Sequence, residues 1–136
     1  MASSPLTIFQ VAGRAMSAQL VRMNTTASNL ANAGDIASSQ ETAYKTMKPV
    51  FRTSFDAATG LSTVDVEKIV TAGENPTVRH DPNNPLADKD GNIYEAAVDE
   101  TRELVDMMET ARTYQNNVEV MQTAKSLILD TLKLGR

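Results

Sequence analysis

The stretch that decides the fold lies near the start of the chain, where residues 5–34 read PLTIFQVAGRAMSAQLVRMNTTASNLANAG. Apolar or small residues recur there at alternating spacings of four and three, which is the a/d pattern of a coiled-coil seam. The seam positions are Phe9, Gly13, Met16, Leu20, Met23, Ala27 and Leu30. Pro5 after a serine pair predicts a helix start, and Gly34 predicts a left-handed C-cap. The spacing therefore predicts a helix over residues 5–32.

The other end of the chain shows the same periodicity. Its apolar positions are spaced about 3.5 residues apart, the repeat of a left-handed supercoil. They are Leu104, Met108, Ala111, Tyr114, Val118, Met121, Ala124, Ile128 and Leu132. Acidic residues precede this run and basic residues end it, and both complement the helix dipole. We therefore expect a second long helix, paired with the first.

The middle of the chain has a different residue pattern. Residues 48–55 and 61–71 are rich in β-branched residues with partial alternation, and a short segment with Gly60 separates them, which predicts a β-hairpin. Residues 75–92 are dense in Pro, Asn, Asp and Gly and are predicted to form a loop. Residues 33–46 follow neither period and are predicted to form an extended connector.

These patterns together predict a mainly α fold. The terminal helices, within residues 1–34 and 97–136, would pair as a coiled coil. Residues 35–96 would form a small β-rich or irregular middle segment that holds the connector, the hairpin and an acidic loop.

The composition excludes several classes of function. The chain has 136 residues, with 13 basic against 17 acidic side chains, so it lacks the basic surface of a nucleic-acid binder. It has no cysteine, which excludes disulfides and thiolate chemistry. No apolar run reaches the roughly 18 residues of a membrane span. No Lys or Arg precedes Arg14, so we expect no cleaved secretory signal.

The net charge of −4 is unevenly distributed. Residues 1–44 are neutral, residues 81–109 carry nine acidic against two basic side chains, and residues 110–136 carry four basic against two acidic. This division predicts a buried helical layer and a charged middle.

The candidates for chemistry are weak. Residues 88–92 read DKDGN, but with Gly91 as the obligatory glycine of a calcium loop, Leu86 and Ala97 occupy ligand positions. An Asp-Gly turn into a strand at residues 93–94 is the better interpretation. His80 is the single histidine and has no nucleophile elbow near it in sequence. We therefore expect no metal, no cofactor and no catalysis.

Asparagine is unusually dense on the first helix, at Asn24, Asn29 and Asn32. Asparagine is a poor helix former, so a compensating interaction is needed. Three together favour polar contacts buried in an interface, although fraying of the helix end would account for Asn32 alone.

The residues 19–33, QLVRMNTTASNLANA, resemble the N-terminal signature of the bacterial flagellar rod, hook and hook-associated proteins. The loop DPNNPLADKDGNIY at residues 81–94 and the helix VDMMETARTYQNNVEVM at residues 105–121 resemble the proximal rod members of that family. The resemblance extends over nearly the whole chain in order. One departure is residues 96–101, AAVDET, where the family commonly has an Asn-Val-Asn stretch.

The resemblance implies a structural subunit of the flagellar basal-body rod. Such a subunit would be exported without a cleaved signal by the flagellar type III apparatus and would assemble in the periplasm around the export channel. Its partners would be other rod subunits and copies of itself, with the rod-adapter protein and membrane ring at the proximal end. The rod would transmit motor torque.

A small helical adaptor or secretion chaperone, acting as a coiled-coil dimer, is the alternative. It would need charged e and g positions, which residues 5–32 largely lack. We therefore expect an assembly interface on the two terminal helices. Its predicted residues are Met16, Leu20, Met23, Asn24, Ala27, Asn29, Leu30, Asn32, Leu104, Met108, Ala111, Tyr114, Val118, Met121, Ile128 and Leu132.

Overall fold

A computed structural model describes residues 7–135, which form two helices and five strands. In chain order the elements are α1 (Ile8–Ala31), β1 (Ile36–Ala37), β2 (Met47–Asp56), β3 (Leu61–Thr71), β4 (Thr77–His80), β5 (Asn92–Glu95) and α2 (Glu100–Leu134). The strands make two antiparallel sheets, a β2–β3 hairpin and a three-stranded sheet in the order β1-β5-β4.

The prediction of a mainly α fold with a coiled coil is wrong. Helix accounts for 46% and strand for 24% of the described structure, and two sheets occupy the middle of the chain. Both terminal helices exist, but their fully buried residues are small or polar and do not form a seam of large apolar side chains. The buried residues of α1 are Ala12, Ala18, Thr25, Thr26 and Asn29, and those of α2 are Glu103 and Thr110.

The helix ends are set by local capping. Thr7 and Gln10 form a reciprocal capping box at the start of α1, each side chain bonding the other's backbone N–H. Asn32 ends α1 with its side-chain amide on the Ser28 carbonyl at 2.7 Å. The predicted C-cap at Gly34 is wrong, because this glycine has no left-handed backbone. The predicted start at Pro5 lies outside the described residues.

The predicted hairpin is confirmed, with a ten-residue β2 against an eleven-residue β3. The register places Arg52, Ser54 and Thr63 on one face together with Asp65. That face looks toward α1, because Arg14 reaches Thr63 at 3.5 Å and Asp65 at 3.3 Å.

The second sheet corrects two predictions. The connector over residues 33–46 includes the short strand β1, and the predicted loop over residues 75–92 includes β4. Both strands pair with β5, which is the strand predicted after Gly91. The turn at Gly91 is confirmed by its backbone φ of 77°. β1 has two residues and β4 has four, so both are too short to show periodicity.

The apolar core is small. Among residues 7–135 the buried apolar side chains are Ala12, Ala18, Ala43, Ala96 and Ile93. Four of these five are alanines, so few large side chains are removed from water. The elements are therefore held together largely by polar contacts and by partly buried side chains.

Helix α1 packs against both the hairpin and α2. The helices are antiparallel, since Asn29 contacts Glu103 whereas Arg22, earlier in α1, contacts Asp106 and Glu109 later in α2. Arg14 and Arg22 are the charged residues of α1, and each pairs with a different neighbouring element. The two arginines of α1 thus link this helix to the hairpin and to α2.

Asp88 organises the loop before β5. Its carboxylate accepts hydrogen bonds from the backbone N–H groups of Asp90 and Asn92, at 2.9 and 2.8 Å, and from the Tyr94 hydroxyl at 3.2 Å. The Asn92 N–H contributes most to holding the pKa of Asp88 below its ordinary value, whereas partial burial opposes the shift. The same hydrogen bond to Asp88 raises the pKa of Tyr94.

Because the pKa of Asp88 is lower in the folded chain than in the unfolded chain, its contribution to stability is present above the unfolded pKa of about 3.9. This contribution disappears as the pH falls through the folded pKa. We expect Asp88→Asn to destabilise the chain at pH 7 in urea unfolding, and the difference from wild type to shrink as the pH falls below the unfolded pKa of about 3.9. A difference that does not vary with pH would contradict the role of the charge.

Gly91 provides a second test of this loop. A Cβ there would stand 3.0 Å from both the His80 Cε1 and the Pro82 Cβ, on a left-handed backbone. We expect Gly91→Ala to lower the free energy of unfolding by about 2–3 kcal/mol, since strain and crowding add. Gly60→Ala is the matched control, because φ is +70° there but the surrounding space is open. Equal losses in urea unfolding would show that the crowding is relieved without cost.

Candidate assembly site

The Asn29 side chain joins three parts of the chain. Its amide nitrogen donates to the Met47 carbonyl at 2.9 Å and to the Glu103 Oε2 at 3.0 Å. Its amide oxygen accepts from the Met47 N–H at 2.9 Å and from the Tyr44 hydroxyl at 2.8 Å. All four hydrogen-bonding positions of the amide are therefore used, and the residue is 1% exposed.

The two bonds to Met47 copy the pairing of a neighbouring strand. The amide offers one donor and one acceptor side by side, as a peptide group does, and so it binds both backbone groups of a single residue. Met47 is the first residue of β2, so this contact fixes where the hairpin begins relative to α1. Tyr44, in the connector, also lies 3.2 Å from the Ser28 hydroxyl.

Glu103 is buried at the start of α2, with 5% of its surface exposed. Within residues 7–135 it makes no ion pair, and the hydrogen bond from Asn29 is its side-chain contact across the helix pair. A buried carboxylate needs such a donor, because desolvation disfavours the charged form. This contact turns Glu103 toward α1.

The orientation of Glu103 sets the face that α2 turns inward. The less exposed positions of α2 recur at alternating spacings of four and three: Glu103, Met107, Thr110, Tyr114, Asn117, Met121 and Ala124. The predicted seam coincides with this stripe at Tyr114, Met121 and Ala124. At the start of α2 the predicted seam lies one residue after the observed stripe, so Leu104 and Met108 face outward.

The predicted interface residues therefore divide into three groups. Asn29 is completely buried within the chain. The partly buried members are Met16, Met23, Leu30, Asn32, Ala111, Tyr114, Val118 and Met121. The exposed members are Leu20, Asn24, Ala27, Leu104, Met108, Ile128 and Leu132. The last group lies on the surface of the single chain, where Met108 is 73% exposed.

The three asparagines of α1 have three different roles. Asn29 is buried and bonds three segments of the chain, Asn32 caps its own helix, and Asn24 is exposed. Their density in sequence pointed to buried polar contacts, and this holds for Asn29 within a single chain. Sequence periodicity could not separate the three, because neither the Met47 backbone nor Glu103 is close in sequence.

One exposed apolar surface was missed by sequence reasoning. Phe55 lies on the face of the hairpin opposite to that of Thr63 and Asp65, across from Ser62 in the register. Phe51 instead lines a hollow with Arg22 of α1 and Asp106 of α2. Phe55 is 68% exposed. The alternation in β2 showed that one face would be apolar, but it did not show that α1 would pack on the other face.

The candidates for chemistry are explained by local structure. The His80 Nδ1 lies 3.2 Å from the Asn92 Oδ1 across the β4–β5 pair, and Asp81 contacts Arg79 instead. Within residues 7–135 no three His, Asp or Glu side chains are grouped to hold a metal. None of the helices in that range combines the length and hydrophobicity that a membrane span requires.

Comparison with known proteins gives matches along most of the chain. Residues 9–33 match the family model described as flagella basal body rod protein, and residues 89–134 match the C-terminal model of the flagellar basal body rod FlgEFG proteins. The rod protein FlgC of Salmonella typhimurium is 40% identical over 133 residues, covering 96% of this chain and 98% of that protein. The chain belongs to the FlgC family of flagellar basal-body rod proteins.

Other FlgC proteins give the same result. That of Yersinia enterocolitica is 39% identical and covers 98% of this chain and 99% of its own length. That of Buchnera aphidicola from Schizaphis graminum is 37% identical over 134 residues, covering 97% of this chain and 98% of that protein. The predicted family is confirmed, and with it the function as a structural subunit of the rod in the flagellar basal body. The matched N-terminal segment, residues 9–33, contains Asn29.

Replacing Asn29 tests the contribution of its buried hydrogen bonds to stability. Asn29→Ala would leave the Met47 N–H and carbonyl, the Tyr44 hydroxyl and Glu103 without their partner. Since unsatisfied buried groups cost about 1–3 kcal/mol each and some will reach water, we expect a loss of about 2–4 kcal/mol in urea unfolding. Asn24→Ala, on the same helix but exposed, should cost nothing. Similar losses in both variants would mean that the hydrogen bonds are not the cause.

Proposed function

We propose that this subunit assembles with other rod subunits through the exposed faces of its two terminal helices. The rod so formed surrounds the export channel and transmits motor torque as a periplasmic shaft. At its proximal end the subunit meets the rod-adapter protein and the membrane ring, and the flagellar type III apparatus exports it without a cleaved signal. Membership in the FlgC family supports this proposal.

The observation that carries the proposal is the exposure of large apolar side chains, which recur along α2 and on α1 comprise Ile8 and Leu20. Leu20 on α1 is 44% exposed, and several residues of α2 are exposed to a greater extent. Single exposed apolar residues are ordinary, but a recurring set along a helix marks an interaction surface. The same chain buries chiefly alanine in its own core. Burial of the larger side chains is therefore left to neighbouring subunits.

The subunit acts through its surfaces and not through a reaction. His80 serves the β4–β5 sheet through Asn92, and Asp88 serves its own loop. Among residues 7–135 the side-chain hydrogen bond of His80 is with Asn92, and the carboxylate of Asp88 accepts from its own loop and from Tyr94. These contacts give His80 and Asp88 structural roles, as a scaffold protein requires.

Replacement of Leu20 by aspartate tests assembly in cells. Leu20 is exposed in the single chain, so Leu20→Asp should leave circular dichroism and thermal unfolding of the purified protein nearly unchanged. In a strain that lacks the native gene we expect the variant to be exported, to build no rod visible by electron microscopy and to abolish swimming. A charge buried in an interface without a partner is strongly unfavourable.

Two control variants accompany this experiment. Gln115→Asp places the same charge on an exposed polar position of α2, and it should support swimming. His80→Ala should also support swimming, as a structural and not a chemical role requires. Normal motility of Leu20→Asp would contradict assembly through α1, and loss of motility in a stably folded His80→Ala would contradict a purely structural function.

A further inference from the structure

The dipeptide Asp90–Gly91 is the single place in the chain where glycine follows aspartate or asparagine. The backbone nitrogen of a residue can attack the side-chain carboxyl of the aspartate before it, and glycine permits this most readily because it has no Cβ. The nitrogen bonds to the aspartate Cγ, the amide proton leaves with the carboxyl hydroxyl as water, and a five-membered succinimide results. Water then opens the ring. Opening at the main-chain carbonyl leaves isoaspartate, which has one extra methylene in the backbone.

The folded loop holds the attacking nitrogen of this reaction. The Gly91 N–H donates to the Asp88 carbonyl at 3.1 Å, and the Gly91 carbonyl accepts from the Asp81 N–H at 2.9 Å. Gly91 is buried, whereas Asp90 is exposed. The nitrogen must lose its proton and turn toward the Asp90 carboxyl before it can attack, so the hydrogen bond to Asp88 has to break first.

The surroundings of Gly91 leave the peptide little freedom to rotate. The Asp88 carboxylate bonds the backbone N–H groups of the two residues that flank this glycine, at 2.9 and 2.8 Å. On the other side, His80 and Pro82 lie so close that an added Cβ would stand 3.0 Å from each. The reaction therefore requires the loop to open, and Asp88 opposes that opening with both its carbonyl and its carboxylate.

We propose that Asp90–Gly91 is a latent site of isoaspartate formation, which reacts in the unfolded chain and which the loop around Asp88 protects in the folded subunit. This protection goes beyond the proposed function and does not depend on assembly, because the contacts that provide it lie within one chain.

Modification at this site would damage the second sheet. The extra methylene lengthens the turn, so the Asp88 carboxylate can no longer reach the N–H groups of both Asp90 and Asn92. Asn92 is the first residue of β5 and pairs with His80 of β4. A chain that reacts while unfolded therefore loses the contact that positions the start of β5, whereas a chain that folds first keeps it.

Isoaspartate formation in the purified full chain tests the proposal. One sample is kept at pH 7 in native buffer and another in denaturing guanidinium chloride, and electron-transfer mass spectrometry of the digested chain distinguishes isoaspartate from aspartate at residue 90. We expect accumulation to be at least about tenfold slower in native buffer, because the reaction must wait for the loop to open. Asp90→Glu keeps the charge but would need a six-membered ring, so it should give almost no isomerised product in either sample.

Two variants test which contacts protect the site. Asp88→Ala removes the carboxylate that holds the loop, so it should raise the rate in native buffer at least about threefold and leave the rate in denaturant unchanged. Asn29→Ala is the matched control, because it weakens the fold elsewhere and keeps the hydrogen bonds of the loop. It should change the native rate little. Circular dichroism checks that both variants keep their helices.

Three results would overturn the proposal. They are equal rates in native and denaturing buffer, no isoaspartate at residue 90 after prolonged denaturation, and a native rate that Asp88→Ala leaves unchanged. An equal rise in Asn29→Ala and Asp88→Ala would show that global stability, and not the loop, protects the site. Each of these results leaves the proposed rod function standing, since motility of Leu20→Asp tests that function separately.

Discussion

The rest of the structure depends on the buried amide of Asn29. Its four hydrogen bonds reach the hairpin backbone, the connector and the second helix at once. A side-chain amide is suited to this role because it carries two donors and two acceptors without charge, so full burial leaves nothing unsatisfied. With so few large apolar side chains in the interior, a directional polar contact decides how the elements fit together.

This contact also explains why the outer surface of the subunit is apolar. Asn29 bonds Glu103 at an inward position of α2, and the neighbouring Leu104, like Met108, faces solvent. In the same way Arg14 holds the polar face of the hairpin against α1 and leaves Phe55 outside. Polar residues thus occupy interior positions, and large apolar residues remain on the surface.

Sequence reasoning found the elements with strong local signals. The two long helices have many periods of apolar residues, the hairpin has alternation with a turn, and Gly91 lies in a turn that requires a left-handed backbone. It missed β1 and β4, which are too short to show a pattern. It also assigned the large apolar positions to the helix pair, because periodicity locates a stripe but not the element that covers it. The roles of Asn29 and Glu103 depend on a contact 74 residues apart in sequence, for which the sequence holds no local signal.

The alanine-rich core has a thermodynamic consequence. The heat capacity increment of unfolding scales with the apolar surface that becomes exposed, and Ala12, Ala18, Ala43 and Ala96 contribute little of it. The curve of stability against temperature is accordingly shallow for a chain of this length, and the slope against denaturant is small. A subunit of this kind therefore loses stability only gradually on either side of its temperature of maximum stability.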